Sequence, residues 1–285
     1  MPLWKRLLRL VVIAALTPVI FLLSCQSSLI YHPRANDADA LRDLEASRGR
    51  RVSYTTAQGR QEAYYVPPRF GDASEAPVWL CFAGNGSLAL DWLRLVQDWD
   101  GRFAYLLVDY PAYGACEGRP TPKSIRQSSI AAMDALAAEL QTTREALAAR
   151  TLVLGHSLGA AAALMAAEDL GLTRGLLVSP FTTMTDMGRI VLGWPLCHLN
   201  LHRFDNSRTL SRVVARQGAR MVIFHGAEDE VIPVRMGRDL ARAHPAAVTW
   251  HEVPGAHHND ILRIISARMG LEMRKLVFSE LDLAR

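Results

Sequence analysis

The sequence predicts an α/β fold built on a mostly parallel central sheet with helices on both faces. Three observations carry it. Apolar runs of strand length recur at residues 78–83, 103–108, 152–154, 174–178, 221–225 and 248–253, each closed within three residues by glycine or proline. Helical-spaced stretches lie between them, and strands alternating with helices assemble into parallel sheets covered on both sides. At residues 151–163 an apolar strand, TLVLG, turns within a residue or two into a helix of small side chains.

The chain has 285 residues, 50% hydrophobic and 21% charged, which suits one large globular domain with room for an insertion. The net charge of +4 gives little motive for nucleic-acid binding. Lys5, Arg6 and Arg9 lie in the first 24 residues, which hold no acid, so removing that segment would lower the charge to +1. No basic stripe interleaved with aromatics, repeat or low-complexity tract is visible. The expected organisation is a signal or anchor at 1–24, a tether at 25–50 and a catalytic-sized domain at 51–285.

Residues 10–23 form an uncharged apolar run behind the three basic residues, as in an export signal. At about 1.5 Å per residue the run reaches about 21 Å, short of a hydrocarbon core of about 30 Å, and Pro18 interrupts it. It ends in Leu22-Leu23-Ser24-Cys25, which resembles the lipobox of bacterial lipoproteins, with Leu23 where a smaller residue is usual. That resemblance implies lipidation at Cys25, and Gln26 beside it implies outer-membrane sorting in a Gram-negative envelope. The other reading is an uncleaved signal anchor that borrows Leu7 and Leu8 to span. Either one tethers the chain to a membrane.

Residues 37–47 read as a short helix, and 51–56 with 62–66 as an antiparallel hairpin about Gln58-Gly59. The strand at 78–83 runs into Gly84-Asn85-Gly86-Ser87. Ala89 stands where a third dinucleotide-binding glycine would be, so that kind of site is excluded there. A helix is expected at 91–99, and the strand at 103–108 opens into a rigid loop, residues 109–121, rich in Pro, Gly and Tyr. One long alanine-rich helix is expected over 124–147. After the strand at 174–178, residues 182–210 break the rhythm with Met184, Met187, Trp194 and Leu199. This stretch is either a small cap forming an apolar acyl pocket or a helix with an ordinary hydrophobic face. Cys81 reads as a buried thiol, Cys116 and Cys197 could pair in an oxidising compartment, and Cys197, His198 and His202 have ligand-like spacing but no acid motif.

Chemistry is concentrated in three loops. Gly155-His156-Ser157-Leu158-Gly159 fits G-x-S-x-G, in which a serine hydroxyl is pushed clear of the sheet at a helix N-terminus that favours a developing oxyanion. The Leu158 N–H is one expected donor and the Asn85 N–H the second. GAEDEVIP, residues 226–233, follows a late strand and offers Asp229 as the acid that would orient a histidine, with Glu228 the fallback and Glu230 expected in solvent. GAHHNDIL, residues 255–262, offers His257 and His258 as base, with Asn259 and Asp260 expected to cap the last helix.

The GNGS loop, DYPAYGACEG, GHSLG, SPF, RFDNS, GAEDEVIP and GAHHND occur in this order across residues 29–276. Together they resemble the serine aminopeptidase-like branch of the α/β-hydrolase superfamily, which also contains lipases and protein depalmitoylases. The resemblance implies an α/β-hydrolase fold, and it assigns the base to His258, which stands directly before Asn-Asp. The departure is Ala83, where relatives often have histidine before Gly-Asn. The implied activity is serine hydrolysis by Ser157, His258 and Asp229 through an acyl-enzyme, a scheme that calls for no cofactor or metal. The expected substrate is a lipid-like carboxylic ester or thioester. The rivals are a peptidase or amidase of the same fold, and a non-catalytic envelope-anchored binding protein.

Overall fold

The computed structural model describes residues 2–278, so Met1 and the far end of the expected 51–285 domain lie outside them. The chain opens with α1 (Leu3–Ile30) and α2 (Ala38–Ala46), the latter capped by the Asp37 side chain on the Ala40 N–H. α1 is longer than the apolar run suggests. It starts among the basic residues, passes through Pro18 and continues beyond Cys25. Pro18 has no N–H for the Ala14 carbonyl, and at the position before it Thr17 Oγ1 adds a bond to the Ile13 carbonyl.

The hairpin is β1 (Arg50–Thr56) and β2 (Gly59–Val66), with Thr56 opposite Gly59, so the two-residue turn is Ala57-Gln58, one position earlier than expected. Gly59, at φ +101°, supplies the left-handed conformation that starts β2. β3 (Val78–Phe82) follows, then a 3₁₀ turn and the one-turn helix α3 (Leu93–Val96) in place of the expected 91–99 helix. β4 (Ala104–Val108) leads to α4 (Pro122–Glu139), whose Thr121 and Ser124 form a reciprocal capping box. The expected long helix is broken here. Gln141 takes φ 55° and Thr143 caps a separate α5 (Arg144–Ala149), because the cap at Thr143 and the reversal at Gln141 outweigh alanine's helix preference.

β5 (Thr151–His156) and α6 (Leu158–Leu170) are joined by Ser157 alone, and α6 stops at Gly171 in the left-handed region. β6 (Arg174–Val178), α7 (Met184–Leu192), α8 (Asn206–Val214), β7 (Arg220–Gly226), α9 (Val234–Arg242), β8 (Val248–Val253) and α10 (Ile261–Val277) complete the order. Among the described residues the eight strands lie in the order β1-β2-β4-β3-β5-β6-β7-β8, antiparallel only where β2 pairs with β1 and β4. Alternation along the strands divides the core. Val78, Leu80 and Phe82 face the side covered by α4, α6 and α8, while Trp79 and Cys81 face the side of α3 and α10. The chain runs outward from β3 to β4 and then returns to lay β5 on the other side of β3. The loops leaving β3 and β5 are thereby brought together at a switch point of the sheet, where open α/β sheets form crevices.

Candidate active site

Ser157 is held at φ 55°, ψ −119°, a backbone conformation that costs a non-glycine residue about 1–3 kcal/mol and persists only when its surroundings impose it. They do so through close approach. A Cβ at Gly155 would run into the Gly159 carbonyl, and one at Gly159 into the carbonyl of Phe82, so both glycines are required for α6 to begin against β5 and β3. The Ser157 N–H donates to Val178 O at 2.9 Å, tying the turn to β6.

The loops after β7 and β8 bring the partners. His258 Nε2 lies 3.0 Å from Ser157 Oγ, and His258 Nδ1 lies 2.8 Å from Asp229 Oδ2. All three residues are buried. Asp229 Oδ1 accepts the backbone N–H groups of Val231 (3.0 Å) and Ile232 (2.7 Å). Burial alone would raise this carboxyl, but hydrogen bonds from His225 and His258 and from the Ile232 N–H hold it well below the usual carboxylate range. His257 points outward to Glu230 Oε2 (3.2 Å) and Glu228 (3.5 Å), which places the expected fallback acid on the wrong histidine. Glu230 is exposed yet not idle, since it also accepts from His258 N at 3.4 Å. Asp260 stands at the N-cap of α10 without bonding its first turn. Its carboxylate accepts instead from His257 N at 2.8 Å, and Asn259 lines the cavity described below.

Asn85 and Leu158 line the same cavity as Ser157 and His258, and among the described residues neither backbone N–H is taken by another acceptor. Gly84 sits so close to the nucleophile that an added Cβ would lie 3.6 Å from Ser157 Cβ and 2.9 Å from His156 Nδ1. The loop leaving β4 buttresses this one. Tyr110 OH donates to Ala83 O at 2.6 Å, Tyr113 OH to Asn85 Oδ1 at 2.7 Å, and Asp109 Oδ1 accepts from Ala89 N at 2.7 Å. Those roles could be placed in the sequence only as a rigid loop at a strand end.

Four features escaped the sequence reading. His225, buried at the end of β7, donates from Nε2 to Ile232 O (2.8 Å) and approaches Asp229 Oδ2 at 3.4 Å, so one carboxylate serves two histidines. The His156 ring lies 5.0 Å from that of His258, tilted by 35°, and burial first, then the neighbouring histidine, pushes its pKa down to about 3, which keeps it neutral. Asp109 is pushed up to about 7 by burial. The fourth is the inner end of α1. Gln26 Nε2 donates to Leu199 O and Gln26 Oε1 accepts from Leu201 N, both at 2.7 Å. His32 N donates to Asn85 Oδ1 (3.0 Å) and Asn85 Nδ2 to Ile30 O (2.5 Å). The only advance signal was the polarity of Gln26 directly behind an apolar run.

A cavity of about 530 Å³ opens above Ser157, a size suited to small ligands. Its walls are mostly apolar: Leu22 and Leu29 of α1, Met184, Met187 and Val191 of α7, and Phe181. The segment expected as a cap at 182–210 divides in two. A bridge between Thr183 and Asp205 closes off α7 and the following 3₁₀ turn, whereas α8 packs with buried Leu210 and Val213 on the α6 side of the core. His202 bonds Tyr31 OH (3.1 Å) and Ser27 Oγ (3.3 Å), and among the described residues no His/Cys/Asp/Glu group is arranged to hold a metal. Cys116 and Cys197 are both free thiols rather than a pair. Cys116 Sγ is engaged by Glu62 N beside β2, and Cys197 is packed against Gly188 under α7.

Comparison with known proteins agrees with this architecture. The model of the Alpha/beta hydrolase family matches residues 79–205. The chain has the α/β-hydrolase fold, with a mostly parallel central sheet flanked by helices. An uncharacterized protein of Mycobacterium tuberculosis is 28% identical over 260 residues, 90% of this chain and 89% of that protein. Among solved structures, an esterase of Pyrococcus furiosus superposes with a TM-score of 0.63 at 15% identity, covering 87% of this chain and 99% of the esterase. The acylaminoacyl peptidase of Pyrococcus horikoshii superposes with the same score of 0.63 at 13% identity, over 87% of this chain and 45% of the peptidase.

Proposed function

We propose that this protein is a membrane-tethered serine hydrolase that cleaves a carboxylic ester or thioester with an apolar acyl chain. The observation that carries the reading is the relay of Ser157 Oγ, His258 and Asp229 at 3.0 and 2.8 Å on the floor of an apolar cavity. His258 Nε2 takes the Ser157 proton as Oγ bonds to the acyl carbon, while Asp229 holds the proton on Nδ1 and offsets the new imidazolium charge. The unoccupied N–H groups of Asn85 and Leu158 receive the oxyanion. As the C–O or C–S bond breaks, the leaving group takes the proton from His258. Water then attacks the acyl-enzyme, giving one proton to His258, and collapse releases the acid and returns that proton to Ser157.

The tether in this reading is α1 itself. The part of it clear of the domain, residues 3–21, spans about 29 Å, which matches a hydrocarbon core of about 30 Å with Lys5, Arg6 and Arg9 snorkelling to the headgroups, and its apolar side chains up to Phe21 are largely exposed. Leu22 belongs to the cavity wall, so cleavage before Cys25 would open that wall, which favours a retained anchor over lipidation at Cys25. Lys5, Arg6 and Arg9 then mark the cytoplasmic end, and the catalytic domain lies on the opposite face.

A fluorophosphonate probe tests the chemistry. Labelling at Ser157 that disappears in Ser157→Ala, with turnover of p-nitrophenyl esters that improves with acyl length, is the expected result. A folded protein that is neither labelled nor active on any ester refutes the enzyme reading, and preferential cleavage of aminoacyl anilides would move it to an amidase.

A further inference from the structure

Outside α1 most of the exposed large apolar side chains among the described residues stand in one segment, with Phe70, Val231, Ile264 and Leu271 elsewhere. Ile190, Val191, Leu192, Trp194, Leu196 and Leu201 all stand in the segment that follows the start of α7, with Trp194 77%, Val191 76% and Leu201 67% exposed. Soluble surfaces rarely carry so large a contiguous apolar patch without an occupant. Between Asp186 and Asp205 the chain holds no acid, and its fixed charges are Arg189 and Arg203.

The patch is fastened to α1 at the level where the apolar run of that helix ends. The Gln26 amide bonds both Leu199 and Leu201, and His202 bonds Ser27 and Tyr31. One helical turn before Gln26, Leu22 faces the cavity together with Val191 and Leu192. The end of the apolar run, the mouth of the cavity and the apolar patch are thus on one side of the molecule. A helix that crosses a bilayer up to about Leu22 holds the patch at the depth of the lipid headgroups.

We propose that residues 188–201 are seated in the headgroup and upper acyl region of the bilayer crossed by α1. The cavity then draws its acyl substrate from a lipid resident in that bilayer, through the gap between α1 and α7. This rests on the ester-hydrolase and anchor readings above and adds to them the partner surface and the substrate's route. The continuity of the patch with α1 names the bilayer as occupant.

The test uses the full chain reconstituted in vesicles of phosphatidylethanolamine and phosphatidylglycerol. Trp4 and Trp194 are the exposed tryptophans among the described residues, so a Trp4→Phe background makes Trp194 the solvent-facing reporter. Phospholipid brominated near the top of its acyl chains should quench a component of the emission that Trp194→Phe abolishes. Trp194 emission indifferent to brominated lipid overturns the proposal, including the case where it responds only to protein concentration, which would assign the patch to a second copy. In a second arm, Trp194→Glu combined with Leu201→Glu alters side chains that do not line the cavity. The expected outcome is unchanged kcat/KM on a water-soluble short-chain ester and a loss of about tenfold or more on a long-chain lipid ester held in the vesicles. Equal activity of variant and parent on both substrates overturns lateral access. Inactivity of the parent on both fails the hydrolase reading instead, and the quenching arm still decides the seating of the patch.

Discussion

Replacing Asp229 by Asn changes which atoms of the site can donate hydrogen. Asp229 Oδ1 receives the N–H groups of Val231 and Ile232 at 3.0 and 2.7 Å, and Oδ2 faces His258 Nδ1 at 2.8 Å and His225 Nε2 at 3.4 Å. An asparagine must keep its carbonyl on the two backbone donors, because the reverse orientation sets NH₂ against two N–H groups and costs about 1–3 kcal/mol for each one left unpaired. Its NH₂ then points at His258 Nδ1, which must become an acceptor. The imidazole proton moves to Nε2, where it donates towards Ser157 and cannot accept from it. Loss of the correct tautomer is worth about 10⁴ in turnover, or about 5 kcal/mol of transition-state stabilisation. The assay is kcat/KM on a soluble p-nitrophenyl ester, with circular dichroism to establish that the variant is folded. A folded Asp229→Asn protein retaining more than a tenth of the parent activity would refute the argument.

Two further outcomes follow from the buttressing of the site. Asn85→Ala keeps the backbone donor but removes the side-chain bonds to His32, Tyr113 and Ile30, so kcat should fall about 10- to 100-fold with KM little changed; a change confined to KM would contradict a positioning role. Asp109, pushed up to about 7 by burial, keeps a proton in the folded chain between about pH 4 and 7 that the unfolded chain has released. Stability should therefore fall as pH rises through that window and level off above it, by up to about 4 kcal/mol. Asp109→Asn keeps an acceptor for Ala89 N and should flatten the slope in urea denaturation at pH 5 and pH 8, whereas parallel profiles for parent and variant would disprove the assignment.

Much of the fold was legible because its signals are local. The apolar runs became β3 to β8 with boundaries within about a residue or two of expectation. The errors were local as well. Alanine content suggested a continuous helix over 124–147, but capping by Thr143 and the turn at Gln141 divide it, and a cap outranks a weak residue preference.

The sequence by itself determined the order of strands and helices, the G-x-S-x-G turn at Ser157 and the short list of acids and histidines that could join it. Each of these depends on spacing within a few residues, where backbone sterics and period rule. The resemblance pointed to His258 over His257, and the tertiary structure supplies the physical reason: adjacent side chains point apart, and His258 turns inward to Ser157 while His257 meets Glu230. Only the tertiary structure brought Gln26 to the backbone at Leu199 and Leu201, and Tyr113 to Asn85. The Gln26 contacts join groups more than 170 residues apart, and no local pattern encodes which surface a helix will meet once the sheet has assembled.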